Sequence, residues 1–311
     1  MPHPFRFGVQ CGHCEGGAAG WAALARKAEE LGYSTFTMGD HLDAQFSPTV
    51  GLMAAAAATS TIRIGALTYA NDYHHPVVLA KEAATLDLLS DGRLELGVGA
   101  GWMTSDYEQA GIPLDPPGTR IDRLGEALTV MKGLFAEGAV DFRGDHYEVR
   151  GLDGTPKPVQ RPHPPILIGG GGRRILSPAA READIVGLNF NLHGGRIDAS
   201  VGPDGTAEHT AEKIGWIRDA AGDRFDELEL QVRIHLATVT DDRIGLAEQL
   251  APALGLSPEA GLASPHSLAG TVEQIVDDLV EQRERFGISY IGISMSAMDE
   301  MAPVVARLAG T

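Results

Sequence analysis

Apolar residues in this chain follow two alternating rhythms. Short continuous runs rich in Val, Ile, Leu and Phe are followed by longer stretches where apolar residues recur every third or fourth position. These are the signatures of buried strands and amphipathic helices. Eight strands are predicted: Phe5 to Gln10, Tyr33 to Met38, Ile62 to Thr68, Leu94 to Gly99, Ile166 to Gly169, Ile185 to Leu188, Leu228 to Leu236 and Ser289 to Ser294. Helices predicted at Trp21 to Leu31, Thr49 to Thr59 and Val77 to Leu89 separate the first four. Less evenly spaced helices at Arg120 to Ala136, Arg174 to Arg181, Ala207 to Ala220, Val272 to Phe286 and Asp299 to Leu308 accompany the rest. Parallel strands need a crossover helix between them. The alternation therefore predicts an α/β protein, a single (β/α)8 TIM barrel with loop insertions spanning residues 1 to 311, over an open doubly wound sheet.

Three stretches interrupt the rhythm: Thr104 to Thr119, Val140 to Pro165 and Leu192 to Gly205. Long loops in such domains are lids, binding loops or tolerated surface insertions. The second carries Arg143-Gly144-Asp145 between extended runs, which predicts a hairpin.

Composition narrows the partners. With 42 acidic against 25 basic residues the net charge is −17, a field that repels nucleic acid and anionic membranes and excludes a nucleic-acid partner. An anionic ligand therefore needs locally gathered positive groups and backbone N–H donors. No run approaches the roughly 18 apolar residues of a membrane span, and Met1 to Arg6 lacks the pattern of a signal peptide, so a cytoplasmic protein is expected.

Catalytic groups in barrels of this kind lie just after the strands. Asp40 and His41 end the second strand, where an ionisable group is costly unless paired or used, and a histidine there handles a proton near neutral pH. Alternatively, Asp40 caps the next segment and His41 is a rim residue. Gly169 to Gly172 followed by Arg173-Arg174 ends a strand and opens a helix, an arrangement that offers N–H groups and charge to a phosphate. The same glycines also suit a purely steric turn.

Gly97-Val98-Gly99-Ala100-Gly101 runs along a strand and lacks the spacing of a Rossmann turn, so small residues there are expected to let a flat ring approach. A lone Cys11-x-x-Cys14 has no second pair to complete a zinc site, and a strand-end lining role is expected, with no metal bound. His74 and His75, ahead of Pro76, either line the pocket or cap a helix.

Together these pieces resemble the bacterial luciferase-like oxidoreductases. The resemblance rests on Met38-Gly39-Asp40-His41, Ile62 to Gly65, His74-His75-Pro76, Lys81 to Asp87, Asp91 to Leu94, Gly97 to Trp102, Pro165 to Gly172 and Ala180 to Asp184, in order over roughly the first 190 residues. It implies an isoalloxazine-type ring at the strand ends with its phosphate at Gly170, Gly171, Gly172 and Arg173. It also implies a cis non-proline peptide at Leu67-Thr68 backing one ring face. Asp40 would then bond the ring or ribityl region and His41 would be the proton carrier. Ala100 and Gly101 would lie against the cofactor.

Gly39-Asp40-His41 and the Gly-Trp after the fourth strand resemble the branch that uses coenzyme F420, which implies hydride transfer to or from a small-molecule substrate. Trp102 stands where the sugar-phosphate dehydrogenases of that branch carry Glu, which speaks against that chemistry here. The second reading is an FMN-dependent monooxygenase fed by a separate reductase, against which Met103 counts. A non-catalytic cofactor carrier or sensor is the third, and a metal-dependent barrel hydrolase, lacking a His-x-His on the first strand, the weakest. The resemblance also implies a homodimer.

Overall fold

Three strand–helix units open the chain: β1 (Arg6–Gln10), α1 (Gly17–Glu30), β2 (Thr35–Met38), α2 (Pro48–Ala58), β3 (Arg63–Ala66), β4 (Tyr69–Ala70) and α3 (Pro76–Leu89). The computed structural model describes residues 3–192 and 194–311. Next come β5 (Leu94–Gly99), α4 (Thr104–Ala110), α5 (Pro117–Phe135), β6 (Ala139–Arg143), β7 (Glu148–Asp153), β8 (Ile166–Gly170), α6 (Arg173–Glu182) and β9 (Ile185–Leu188). The chain continues through α7 (Ala207–Ala221), β10 (Glu229–Arg233), β11 (Leu236–Val239), α8 (Arg243–Leu250), α9 (Pro258–Ala263) and β12 (Ser267–Gly270). It ends with α10 (Val272–Phe286), β13 (Ile288–Ser294) and α11 (Met298–Leu308).

β1, β2, β3, β5, β8, β9, β10 and β13 pair in parallel, and the β3–β5 pairing closes the ring into the expected eight-stranded barrel. Every residue of β2, β5 and β9 is buried, as strands covered on both faces require. The helices turn apolar stripes inward: Trp21, Ala25 and Ala28 on α1, and Leu124, Ala127, Leu128, Met131 and Phe135 on α5. Local chemistry fixes their starts. Pro76 begins α3 behind His75, whose Nδ1 accepts from Val77 N–H, and Thr271 with Gln274 forms a capping box on α10.

The barrel floor is closed by charge. Arg6 meets Glu95 at 2.6 Å and Glu229 at 2.5 Å, Arg63 meets Glu95 at 2.7 Å, and Tyr290 lies 4.2 Å under the Arg6 guanidinium. These residues begin or adjoin their strands, so the charge cluster lies at the barrel end opposite the C-terminal strand ends.

Two expected strands break. The third, expected to run unbroken from Ile62 to Thr68, stops at Ala66, and Leu67-Thr68 is a cis peptide. Pairing resumes as β4 against Val98 and Gly99 of β5. The seventh ends at Arg233, and its continuation β11 leaves the barrel to pair with β12, a strand not anticipated from the sequence. The hairpin around Gly144 forms between β6 and β7, its turn held by Glu126, whose carboxylate accepts from the N–H groups of Asp145, His146 and Tyr147. Among the described residues no helix is long and apolar enough to cross a membrane.

Candidate active site

A cavity of about 920 Å³ opens at the C-terminal ends of the barrel strands, large enough for a cofactor and a small substrate. Asp40, His41, Leu67, Thr68, Ala100 and Gly101 lie in its wall, and so do Gly170, Gly171, Gly172 and Arg173. The structure thus brings these ten residues to one place. Four arginines (Arg120, Arg173, Arg174, Arg233) and two aspartates (Asp40, Asp43) line it. In a protein of net charge −17 this wall therefore carries a local excess of cations.

Asp40 and His41 point to different partners. Asp40, buried at the end of β2, accepts at Oδ2 from Ala70 N–H (2.9 Å) and His74 Nε2 (2.8 Å). One of its oxygens is therefore committed to anchoring β4. His41 Nδ1 lies 2.8 Å from Asp106 Oδ2. An ionised carboxylate only accepts, so the proton sits on Nδ1 and Nε2 is left as the acceptor. Trp102 packs edge-on against the imidazole, ring centroids 5.6 Å apart.

Asp106 was not singled out from the sequence. It lies on α4, inside a stretch expected to be loop, where it is buried and also accepts from Tyr73 O–H at 3.4 Å. Its short helix is docked by Tyr107 O–H donating to Asp72 (3.0 Å) and by Thr104 N–H donating to Gly195 O (3.2 Å). The signal in the sequence was positional only: an acid shortly after Gly101-Trp102, within a long insertion.

The glycines on β5 lie close against the third strand. A Cβ at Gly97 would run into the Ala66 carbonyl, and one at Gly99 would sit 2.5 Å from Thr68 Oγ1. They make room for the break in the third strand, and Gly99, with Ala100 and Gly101 after it, also lines the cavity. Gln10 Nε2 supports that break by donating to Leu67 O at 3.4 Å.

Gly172 caps α6 without a side-chain bond; Ile175 N–H donates to Gly172 O, and the N–H groups of Arg173 and Arg174, both lining the cavity, receive no side-chain cap. A Cβ at Gly171 would strike the backbone of Phe190 and Asn191, so glycine there is a steric requirement of the turn as well. Arg173 is exposed, while Arg174 pairs with Asp122 at 3.2 Å. Uncapped N–H groups, a cradle only glycine fits and a nearby guanidinium suit a phosphate.

Other expectations need correction. Cys11 is fully buried in the core and Cys14 half-buried; neither lines the cavity, though Gly12 and His13 between them do. Burial pushes the Cys11 thiol well above its usual range. Neither His74 nor His75 lines the wall: His75 caps α3, the second of the two roles open to it, and His74 is bound to Asp40. Arg120, Arg233 and His235 also line the cavity, though no motif marks them in the sequence. Arg120 holds the carbonyls of Ala100 and Gly101.

The family model described as luciferase-like monooxygenase matches residues 4–201, more than half of the chain. The protein belongs to that family. An uncharacterised Mycobacterium tuberculosis protein is 36% identical over 187 residues, covering 52% of this chain; the match spans 65% of that relative's length. The FMNH(2)-dependent dimethylsulfone monooxygenase of Pseudomonas putida is 28% identical over 286 residues, 86% of this chain and 75% of that one. In structure, the coenzyme F420 dependent tetrahydromethanopterin reductase of Methanopyrus kandleri superposes with a TM-score of 0.74 at 20% identity, covering 98% of this chain and 99% of the other. At that identity the likeness speaks for the fold. The fold neighbours thus include an F420-dependent reductase, and the sequence relatives an FMNH(2)-dependent monooxygenase.

Proposed function

We propose that the protein is an oxidoreductase that transfers a hydride between coenzyme F420 and a small organic substrate. The observation that carries this reading is His41 in the cavity wall with its Nδ1–H held by buried Asp106. A deazaflavin supplies two-electron hydride chemistry when bound. A hydride delivered to a carbon leaves its heteroatom basic, and His41, in its protonated form, gives that atom a proton. In the reverse direction Nε2 takes the proton up. Asp106 fixes the ring orientation and stabilises the imidazolium that forms. The start of α6 and Arg173 would hold the cofactor's phosphate, and the Leu67-Thr68 segment, held by Gln10 at Leu67 O and followed by Ala70 on Asp40, would back its ring.

A second reading, an FMN-dependent monooxygenase supplied with reduced flavin by a separate reductase, is favoured by the dimethylsulfone monooxygenase match over most of the chain. Anaerobic turnover with reduced F420 and a panel of carbonyl and imine compounds separates the two. Consumption of reduced F420 without oxygen, lost on His41→Ala with cofactor binding retained, supports hydride transfer. Substrate-dependent oxygen uptake with reduced FMN supports the second reading. Turnover with neither, despite binding, leaves a carrier or sensor.

A further inference from the structure

The two ends of the barrel treat arginine in opposite ways. On the floor, burial alone would weaken the Arg6 cation, but Glu95 and Glu229 more than offset it. At the other end Arg233, the last residue of β10, has no such partner: among the described residues no carboxylate lies within 4.0 Å of it. Its hydrogen bonds go to neutral acceptors, Ser294 Oγ at 2.8 Å and Gly292 O at 3.4 Å. Burial, with no anion to offset it, lowers its pKa to about 10, so it remains a cation at neutral pH.

Its surroundings do not neutralise it. Burial and the neighbouring Arg233 charge bring His235 down to about 4, so that imidazole is neutral, stacked 4.3 Å from Phe190 and bonded through Nε2 to Asn189 Oδ1 at 2.9 Å. Of the two cavity aspartates, Asp40 is occupied by Ala70 and His74, and Asp43 is exposed on the loop after β2. A guanidinium held in a cavity wall without a counter-ion is costly, and a ligand anion relieves that cost.

Arg233 is also set apart from the glycine turn. Gly170 ends β8, Arg233 ends β10, and β9 runs between them. The cavity therefore carries two cationic stations. Ser294, itself in the wall, accepts from Arg233 and keeps its own hydroxyl hydrogen to donate.

We propose that Arg233 and Ser294 form a subsite for a carboxylate or sulfonate group of the substrate, so that this protein acts on small organic anions. The inference rests on the reading of the cavity as the reaction site, with the cofactor phosphate at the glycine turn. Arg233 gives the anion a planar fork of N–H donors and Ser294 a third donor, while Phe190 and His235 flank it with an apolar, uncharged wall.

The test is calorimetric titration of the full chain, without cofactor and then saturated with it, using hexanoate and its neutral counterpart hexanamide. Wild type is expected to bind hexanoate at least about tenfold more tightly than hexanamide, a charge-assisted bidentate contact in a shielded site. Arg233→Met abolishes the preference and leaves hexanamide affinity and cofactor affinity within about twofold of wild type, since neither depends on the lost charge. Ser294→Ala, which removes one atom and keeps the guanidinium, reduces the preference by roughly threefold, as expected for one hydrogen bond. No preference in wild type, or an undiminished one in both variants, overturns the proposal. Weakened cofactor binding in Arg233→Met with the preference intact also overturns it, because the arginine would then face the cofactor. A preference that depends on Arg233 in a protein that binds neither F420 nor FMN supports the subsite and refutes the cofactor reading.

Discussion

Replacing Asp106 with Asn tests the proton-handling half of the site. The side chain keeps its size, so α4 retains its anchors, Tyr107 on Asp72 and Thr104 on Gly195. What changes is the partner of His41: a 2.8 Å bond to an acceptor-only carboxylate becomes a bond to an amide that can also donate. A hydrogen bond to a charged group contributes about 1.5–3 kcal/mol, and 1.36 kcal/mol is a factor of ten, so a roughly 10- to 150-fold fall in kcat/KM is expected. Cofactor affinity should stay within about twofold, since Asp106 does not touch the glycine turn. Rapid-mixing kinetics measures the rate, and nitrogen NMR of histidine-labelled protein reads the ring tautomer. Asp106→Glu should recover part of the rate. An Asp106→Asn variant with wild-type kcat/KM and an unchanged Nδ1–H signature would refute the reasoning.

Three further outcomes follow from the packing. Glu29 accepts from Ser60, Thr61 and Ile62 N–H ahead of β3, and these bonds outweigh burial to hold its carboxyl at about 2. Its contribution is therefore complete above the usual carboxylate range and lost as pH falls toward 2; Glu29→Gln should cost about 1 kcal/mol at pH 7, after screening, with the gap to wild type closing in acid urea melts. A gap independent of pH would contradict this. Glu95→Ala strips both Arg6 and Arg63 of a buried partner and should destabilise by about 3 kcal/mol in urea unfolding, leaving the cofactor affinity of the folded protein unchanged. Gly97→Ala places a methyl against the Ala66 carbonyl, and moving that backbone should cost about 1–3 kcal/mol and weaken cofactor binding; an unaltered melting temperature would show that the third strand tolerates the shift.

The barrel was legible because its strands are buried on both faces, α1 carries an apolar stripe, and α2 and α3 are Ala- and Leu-rich runs too long for strands. Periodicity failed where burial is partial. β11 is half-buried along its length, α8 buries only Ala247, and α9 buries none of its residues. The seventh expected strand is too long because Leu228 to Leu236 alternates apolar and polar residues without interruption, whereas the chain leaves the barrel after Arg233. In the site, the strand-end rule located Asp40, His41 and the glycine turn, since sequence position alone puts them there. It could not locate Asp106 or the solitary charge of Arg233. The first acquires its role from a histidine 65 residues away, and the second from partners that the fold withholds.

The central claim is that a ring cofactor lies across the strand ends with its phosphate at the start of α6. Equilibrium titration of wild type and Arg173→Glu with F420 and with FMN tests it most directly. Saturable binding of F420, tighter than FMN and weakened about tenfold or more by Arg173→Glu, is the predicted result. Binding of neither molecule, or an affinity indifferent to charge reversal at Arg173, would contradict it.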